Sequence, residues 1–393
     1  MELRSRVGPV FFKVNQSQLM GVRKALEDIM AAPAFFANQT VGINCLSGLI
    51  AFDQRGNTRV QHHEPAHKQR HVIPCEWAPS ASIPRSDLIE MLFNGCFKDD
   101  GDKADKVRLI EEIMGAIALG NARELPQQKA FILFGGTAAN GKSQFLEIAR
   151  GLNPPTANCV IPMHKFNKEE WLFQLSGKKA NIVDELSSAE VVLSDTFKSI
   201  ITGEPTAARD LYRSGTTIFP RALHVFATND LPSFTGGIDR GIERRIEVLE
   251  FNRSIPPTEQ IPNLGQHILA EEKLELLAIA ISGAARLLKQ GKFTVPASSE
   301  HARDEWFYGS DPVRAWTRSC VEERPDVQLH SAVVHEQFVL WCRSEGFTGH
   351  LPSSAKLTQR LKALKGNSVK TVKINGRRTL EGLSIRTWMP SVG

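Results

Sequence analysis

The sequence predicts an α/β protein built on a parallel sheet. Three observations carry that expectation. Residues 126–252 alternate short apolar runs with helical stretches, giving strand candidates at 130–134, 180–183, 222–228 and 246–251. The first run ends in a glycine-rich turn, Phe131-Ile132-Leu133-Phe134-Gly135-Gly136-Thr137-Ala138-Ala139-Asn140-Gly141-Lys142-Ser143. The chain has 393 residues, 41% hydrophobic and 23% charged, enough for two or three domains and a large core.

Before the sheet, residues 42–53 read as a hairpin around Ser47-Gly48, and Gly56-Asn57 marks a further turn. Residues 86–98 and 105–119 have the period of amphipathic helices. Residues 1–125 are expected to form an α+β region for oligomerisation or docking, ahead of a core domain over 126–290. One or two helices should fill 265–290 and stop at Gly291. Residues 291–312, punctuated by Pro296, Gly309 and Pro312, read as a linker.

Residues 313–393 form the last expected unit. A helix over 331–345 would bury Val334, Phe338 and Trp341. A second over 353–364 would turn Leu357, Leu361 and Leu364 inward. Residues 369–374 alternate like a strand, Asn375-Gly376 suits a type I′ turn, and 377–388 returns. Helix, helix, hairpin is a winged-helix pattern.

Charge singles out the same unit. Net charge is +5, yet residues 353–393 hold nine Lys or Arg and one acid, Glu381. A basic module on a near-neutral body suits nucleic acid. Lys356, Arg360, Lys370, Lys373, Arg377 and Arg378 are its candidate phosphate contacts. Such a unit can also dock a protein. No apolar run approaches 18 residues, so no membrane span is expected. The first residues lack the apolar core of a signal peptide. Six scattered cysteines without a C-x-x-C pair suggest reduced thiols in a cytoplasmic compartment. His63, His67, His71 and Cys75 recur every four residues, but Pro65 and Pro74 break the helix that would align them on a metal.

The glycine-rich turn matches the phosphate-loop pattern G-x4-G-K-S from Gly136 to Ser143. Backbone N–H groups over Gly136, Thr137, Ala138, Ala139, Asn140 and Gly141 can surround a phosphate, and a following helix adds its positive end. Lys142 would reach the β- and γ-phosphates of ATP, and Ser143 would bind Mg²⁺. Ordinary composition produces on the order of 0.01–0.02 such matches by chance in a chain this long. The strand candidate 180–183 then delivers Asp184 and Glu185, a metal ligand and a residue that orients and deprotonates water. The candidate 222–228 ends at Asn229, suited to the γ-phosphate and the attacking water. Arg244-Arg245 precede the last strand candidate. Arg244 could stabilise transition-state charge on a neighbouring subunit's phosphate.

The order of these motifs resembles superfamily 3 helicases, the ring-forming AAA+ replication helicases of small DNA viruses, phages and plasmids. The likeness is nearest to the helicase half of phage/plasmid and poxvirus-type primase-helicases. It is strong over 130–252 and weaker over the rest of 40–390. Residues 201–212 resemble an additional motif of that group, and 42–79 resemble the region preceding its ATPase. The resemblance implies an AAA+ ATPase using ATP and Mg²⁺, assembled as a homo-hexamer on single-stranded, forked or origin DNA. It implies a mobile-element replication helicase working in the cytoplasm, with a bacterial host expected. It also implies a hairpin over about 206–221 pointing into a central channel. Arg213 at the turn and Tyr212 beside it are the candidate DNA contacts, with Lys198 and Arg209 as second choices. About 40 residues precede Gly42, too few for a polymerising domain, so either a primase is on a separate chain, or this is a helicase-only replicator or a truncated chain. The alternatives are an AAA+ loader or switch, or an origin-binding initiator without processive unwinding.

Overall fold

The computed structural model describes residues 2–5, 8–11, 15–29, 35–37, 39–53, 55–78, 86–186, 190–210, 215–235, 237–347 and 351–386. The chain divides into two units, residues 1–40 with 63–70, and 41–62 with 71–393. The smaller unit contains an antiparallel pair, β1 (Glu2–Ser5) and β2 (Gly8–Phe11), followed by α1 (Gln16–Ile29).

The larger unit opens with an antiparallel three-stranded sheet, β3 (Gly42–Cys45), β4 (Gly48–Phe52) and β5 (Thr58–Gln61). Two helices follow, α2 (Asp87–Phe97) and α3 (Lys103–Leu119). Then come β6 (Ala130–Phe134), α4 (Lys142–Leu152), β7 (Asn158–Cys159), the short α5 (Glu169–Leu172) and β8 (Ala180–Val183). Next are the short β9 (Val191–Val192), α6 (Ser194–Thr202), and the hairpin strands β10 (Thr206–Ala208) and β11 (Thr216–Ile218). They lead to β12 (Leu223–Thr228), β13 (Ser233–Phe234), α7 (Arg240–Glu243) and β14 (Ile246–Glu250).

The central sheet is parallel throughout, in the order β14-β6-β12-β8-β7. The molecule is thus a mixed α/β fold around a parallel sheet. Its strands are mostly apolar because both faces are covered, with Asn181, His224 and Glu247 as buried polar exceptions. Phe131 and Leu133 pack into one core, and Ala130 and Ile132 into the other.

The first core contains α3, α4 and the helices α8 (Leu264–Glu271) and α9 (Lys273–Gln290). α3 and α9 cross with their backbones in contact. A Cβ on Gly115 would lie 2.3 Å from Ala284 N, and one on Gly283 would lie 1.9 Å from Glu111 O. Buried Glu112 on α3 accepts Arg286 Nε of α9 at 2.8 Å and Thr294 N at 2.6 Å. This corrects the boundary expected at residue 125. The apolar side of α3, including Leu109, Ile113 and Ile117, is buried in the same core as β6.

The expected linker over 291–312 is also corrected. Most of it is a helix, α10 (Ala297–Ser310), which lays Ala302, Trp306 and Phe307 into the second core. The residues read as loop punctuation stand at helix ends. Pro296 is the N-cap of α10, Gly309 lies in its last turn, and Pro312 opens α11 (Pro312–Cys320).

The C-terminal part has its own apolar cluster, built by α11, α12 (Ser331–Ser344) and α13 (Ser354–Lys365) against an antiparallel sheet. Its strands are β15 (Val321–His330), β16 (Lys370–Ile374) and β17 (Arg377–Ile385), in the order β15-β17-β16. Asn375 (φ 49°) and Gly376 (φ 73°) make the tight turn. The end of the return strand expected to reach 388 lies outside the described residues.

Candidate nucleotide site

Three neighbouring strands bring the candidate residues to one edge of the sheet. β6 leads into the glycine-rich loop, β12 lies beside it and ends before Asn229, and β8 lies beside β12 and ends before Asp184. This is the C-terminal edge of a parallel sheet, where ligands bind in open α/β folds.

The loop's form follows from its residues. Gly141 has φ 90°, and a Cβ there would stand 2.3 Å from Cys96 Sγ. Glycine is therefore required by backbone and space alike. Ala139 also has a positive φ of 56°. Asn140 is buried and donates from Nδ2 to Thr137 O at 2.6 Å, closing the loop on itself. Ile255 N donates to Ala139 O at 2.8 Å and Ser254 Oγ to Ala138 O at 3.2 Å, bracing it from outside. Gly136, Thr137, Ala138 and Ala139 remain exposed, so the loop mouth faces solvent.

Lys142 opens α4 and is 8% exposed. Its Nζ donates to Gly135 O at 2.6 Å and to Asn229 Oδ1 at 3.0 Å. Ser143 Oγ donates to Asp184 Oδ1 at 3.2 Å. Burial pulls the Lys142 pKa down, and the Asp184 carboxylate opposes that. Asp184 and Glu185 are both exposed beside the loop. A cavity of about 370 Å³ adjoins the loop at Ala139 and Gly141. Its walls include Met91, Leu92, Ile255, Ile261 and Leu264, with Gln144, Glu259, Gln260 and Asn263 as polar groups.

Arg244 is placed elsewhere. It precedes β14, whose Ile246 pairs with Ala130 at the start of β6. It therefore stands at the N-terminal edge of the sheet, while Gly135 begins at the other edge. Five strand residues separate these edges by roughly 17 Å. Arg244 is exposed and, with Lys129, Arg240, Glu243 and Arg303, lines a cavity of about 670 Å³. Arg245 is buried and donates to Gly241 O at 2.7 Å. The sequence reading missed Lys129 and Arg303. Both approach buried Glu247 Oε2, at 2.6 and 3.5 Å.

The candidate DNA contacts divide. Tyr212 and Arg213, between β10 and β11 in the sequence, lie outside the described residues. Arg209 is exposed just after β10. Lys198 pairs with Asp195 at 2.8 Å and Asp239 at 3.2 Å. Arg360 pairs with buried Asp311. Lys356, Lys373 and Arg377 are exposed. Lys373 lies directly opposite Arg378 in the β16–β17 ladder. Among the described residues, no three His, Cys, Asp or Glu side chains are grouped to hold a metal ion. Nor is any described helix long and apolar enough to cross a membrane.

A sequence model for a family of unknown function, DUF5906, matches residues 133–245. No curated protein matches the chain. Among solved structures, the apo A form of the NrS-1 C terminal region is similar, at 14% identity and a TM-score of 0.43. That match covers 77% of this chain and 76% of the other. JCV Helicase is similar at 15% identity and a TM-score of 0.27, over 71% of this chain and 65% of the other. The family-model match, from the end of β6 to Arg245, contains the loop, Asp184, Glu185, Asn229 and Arg244 together.

Proposed function

We propose that this chain is an ATP-dependent DNA helicase of the AAA+ superfamily 3 type, working as a homo-hexameric ring on replicating DNA. One observation carries the ATPase part of the reading. Lys142 meets Asn229, and Ser143 meets Asp184, across the ends of three adjacent strands. The cation of this site is only partly compensated. Buried Lys142 donates to two neutral oxygens, and the Asp184 carboxylate does not offset the burial that disfavours its charge. A triphosphate would supply further negative charge.

Bound ATP would lie on the loop N–H groups from Gly136 to Ser143, with Lys142 on the β- and γ-phosphates. The cavity beside Ala139 and Gly141, with apolar walls and amide groups at its edge, would take the base. Ser143 and Asp184 offer the two oxygens that Mg²⁺ needs from protein, leaving its other positions to phosphate and water. Mg²⁺ would neutralise charge developing on the phosphates. Glu185 would take the proton of the attacking water, and Asn229 would orient that water against the γ-phosphate. Arg244 cannot reach its own subunit's loop across the sheet, so it would act on a neighbour's nucleotide.

The DNA part rests on the motif resemblance, the β10–β11 hairpin and the basic C-terminal unit. Two helices and a hairpin there are read as a winged helix. Lys373 opposite Arg378 is a like-charge pair that destabilises the free ladder, and a phosphate between them would relieve it.

The test separates binding from turnover. Lys142→Ala should abolish hydrolysis. Glu185→Gln should bind ATP as tightly as the parent while losing at least about 100-fold in turnover. Normal turnover in either variant removes this active site.

A further inference from the structure

A run of paired charges connects the segment carrying Arg244 to the C-terminal helices. α7 spans four residues, Arg240–Glu243, and is too short to hold itself. Asp239 caps its start by accepting Ile242 N at 2.8 Å, and pairs with Lys198 of α6 at 3.2 Å. At its other end Glu243 accepts Arg314 Nη2 at 2.7 Å. Arg314 belongs to the first turn of α11 and is 14% exposed, so solvent screens this pair only partly.

Arg314 is itself anchored. Its Nε lies 3.6 Å from Asp311 Oδ2. Asp311 is fully buried and caps α11 through Val313 N at 2.9 Å and Arg314 N at 3.3 Å. Arg360 of α13 pairs with the same carboxylate. Burial raises the Asp311 pKa, and Arg360 and Arg314 counter that. The buried carboxylate thus depends on both arginines, and one of them reaches the residue next to Arg244.

We propose that Arg314 is a positioning residue for Arg244. It fixes the Arg244-bearing turn through Glu243, with the Asp311–Arg360 pair as its anchor in the C-terminal part. The proposal rests on the reading of Arg244 as the arginine that serves a neighbouring subunit's nucleotide. Its consequence is that the basic C-terminal helix α13 and the inter-subunit arginine share one electrostatic link.

The full chain tests it with Glu243→Ala, Arg314→Ala and Arg314→Lys, read by assembly mass, binding of an ATP analogue and steady-state ATPase. Both alanine variants should assemble and bind nucleotide normally, with KM nearly unchanged. Their kcat should fall about 10- to 100-fold, the scale of a misplaced catalytic group. Arg314→Lys should regain most of the loss. The double alanine variant should be no worse than either single one. Mixing Arg314→Ala with Lys142→Ala subunits should restore turnover, because intact loops then face intact Arg244 segments. Mixing it with Arg244→Ala subunits should not.

Glu243→Ala leaves Asp311 with both its arginines, so the proposal stays testable if Arg314→Ala fails to fold. Parental kcat in Glu243→Ala overturns the proposal, as does a loss that the Lys142→Ala mixture leaves in place. Arg244→Ala is measured in parallel. If it is inactive and regains turnover in the mixture while Glu243→Ala is normal, only the positioning role fails. If Arg244→Ala turns over normally, the reading of Arg244 fails and the proposal falls with it.

Discussion

At the scale of single residues, the structure separates side chains whose role is legible from spacing from those that need contacts. Lys142, Ser143, Asp184 and Asn229 belong to a recognisable pattern, and the structure pairs Lys142 with Asn229 and Ser143 with Asp184. His224 carries no pattern, yet it is the most perturbed histidine described. It is buried on β12, where Asn181 Nδ2 lies 3.1 Å from its Nδ1, so neutral His224 keeps its proton on Nε2. Burial pushes its pKa down to about 3 from 6.5. Between those values the unfolded chain binds a proton that the folded chain refuses. The contribution to stability is therefore complete above pH 6.5 and is lost progressively as pH falls toward about 3. His224→Gln keeps an acceptor for Asn181 and removes the titration. It should lose less stability than the parent between pH 7 and pH 5, measured by urea midpoints at both. Parallel losses would mean that His224 is not the buried base described.

At the scale of elements, the sheet was legible and its coverings were less so. Strand candidates 130–134 and 180–183 coincide with β6 and β8, because parallel strands buried on both faces leave mostly apolar runs, interrupted in β8 only by Asn181. α10 was hidden for the opposite reason. Its exposed side is polar, its buried residues are few, and its ends carry the proline and glycine that also mark loops. β15 was hidden by Pro325 and by the bulge between Arg324 and Gln328, which interrupts its ladder with β17. The linker and helix readings of α10 differ measurably. Trp306 is 6% exposed and contacts the rings of Phe234 and Phe307. As a core residue, its replacement by alanine should cost about 3–5 kcal/mol. In a solvated linker the cost would stay within about 0.5 kcal/mol. Urea unfolding of Trp306→Ala decides between them.

At the scale of the whole molecule, charge is unevenly spread, and the structure shows which charges are committed. Residues 353–393 hold nine Lys or Arg. Arg360, Lys365 and Arg386 pair with Asp311, Glu323 and Glu322. Lys370, Lys373, Arg377 and Arg378 are exposed on the β16–β17 hairpin. Composition alone could not make this division, because it depends on which acids the fold brings near. If the hairpin lies on a duplex, each phosphate it neutralises releases counterions and adds about 0.9 to the slope of log affinity against log salt. Replacing these four residues with alanine should flatten that slope by up to about 3.6 and weaken binding across sequences alike. Arg314 and Asp311 stay in place, so ATP turnover without DNA should be retained. Lys356→Ala on α13 adds a fifth position outside the hairpin and should flatten the slope further if the helix faces the same duplex. A slope unchanged in the four-residue variant would mean that the hairpin meets protein and not DNA.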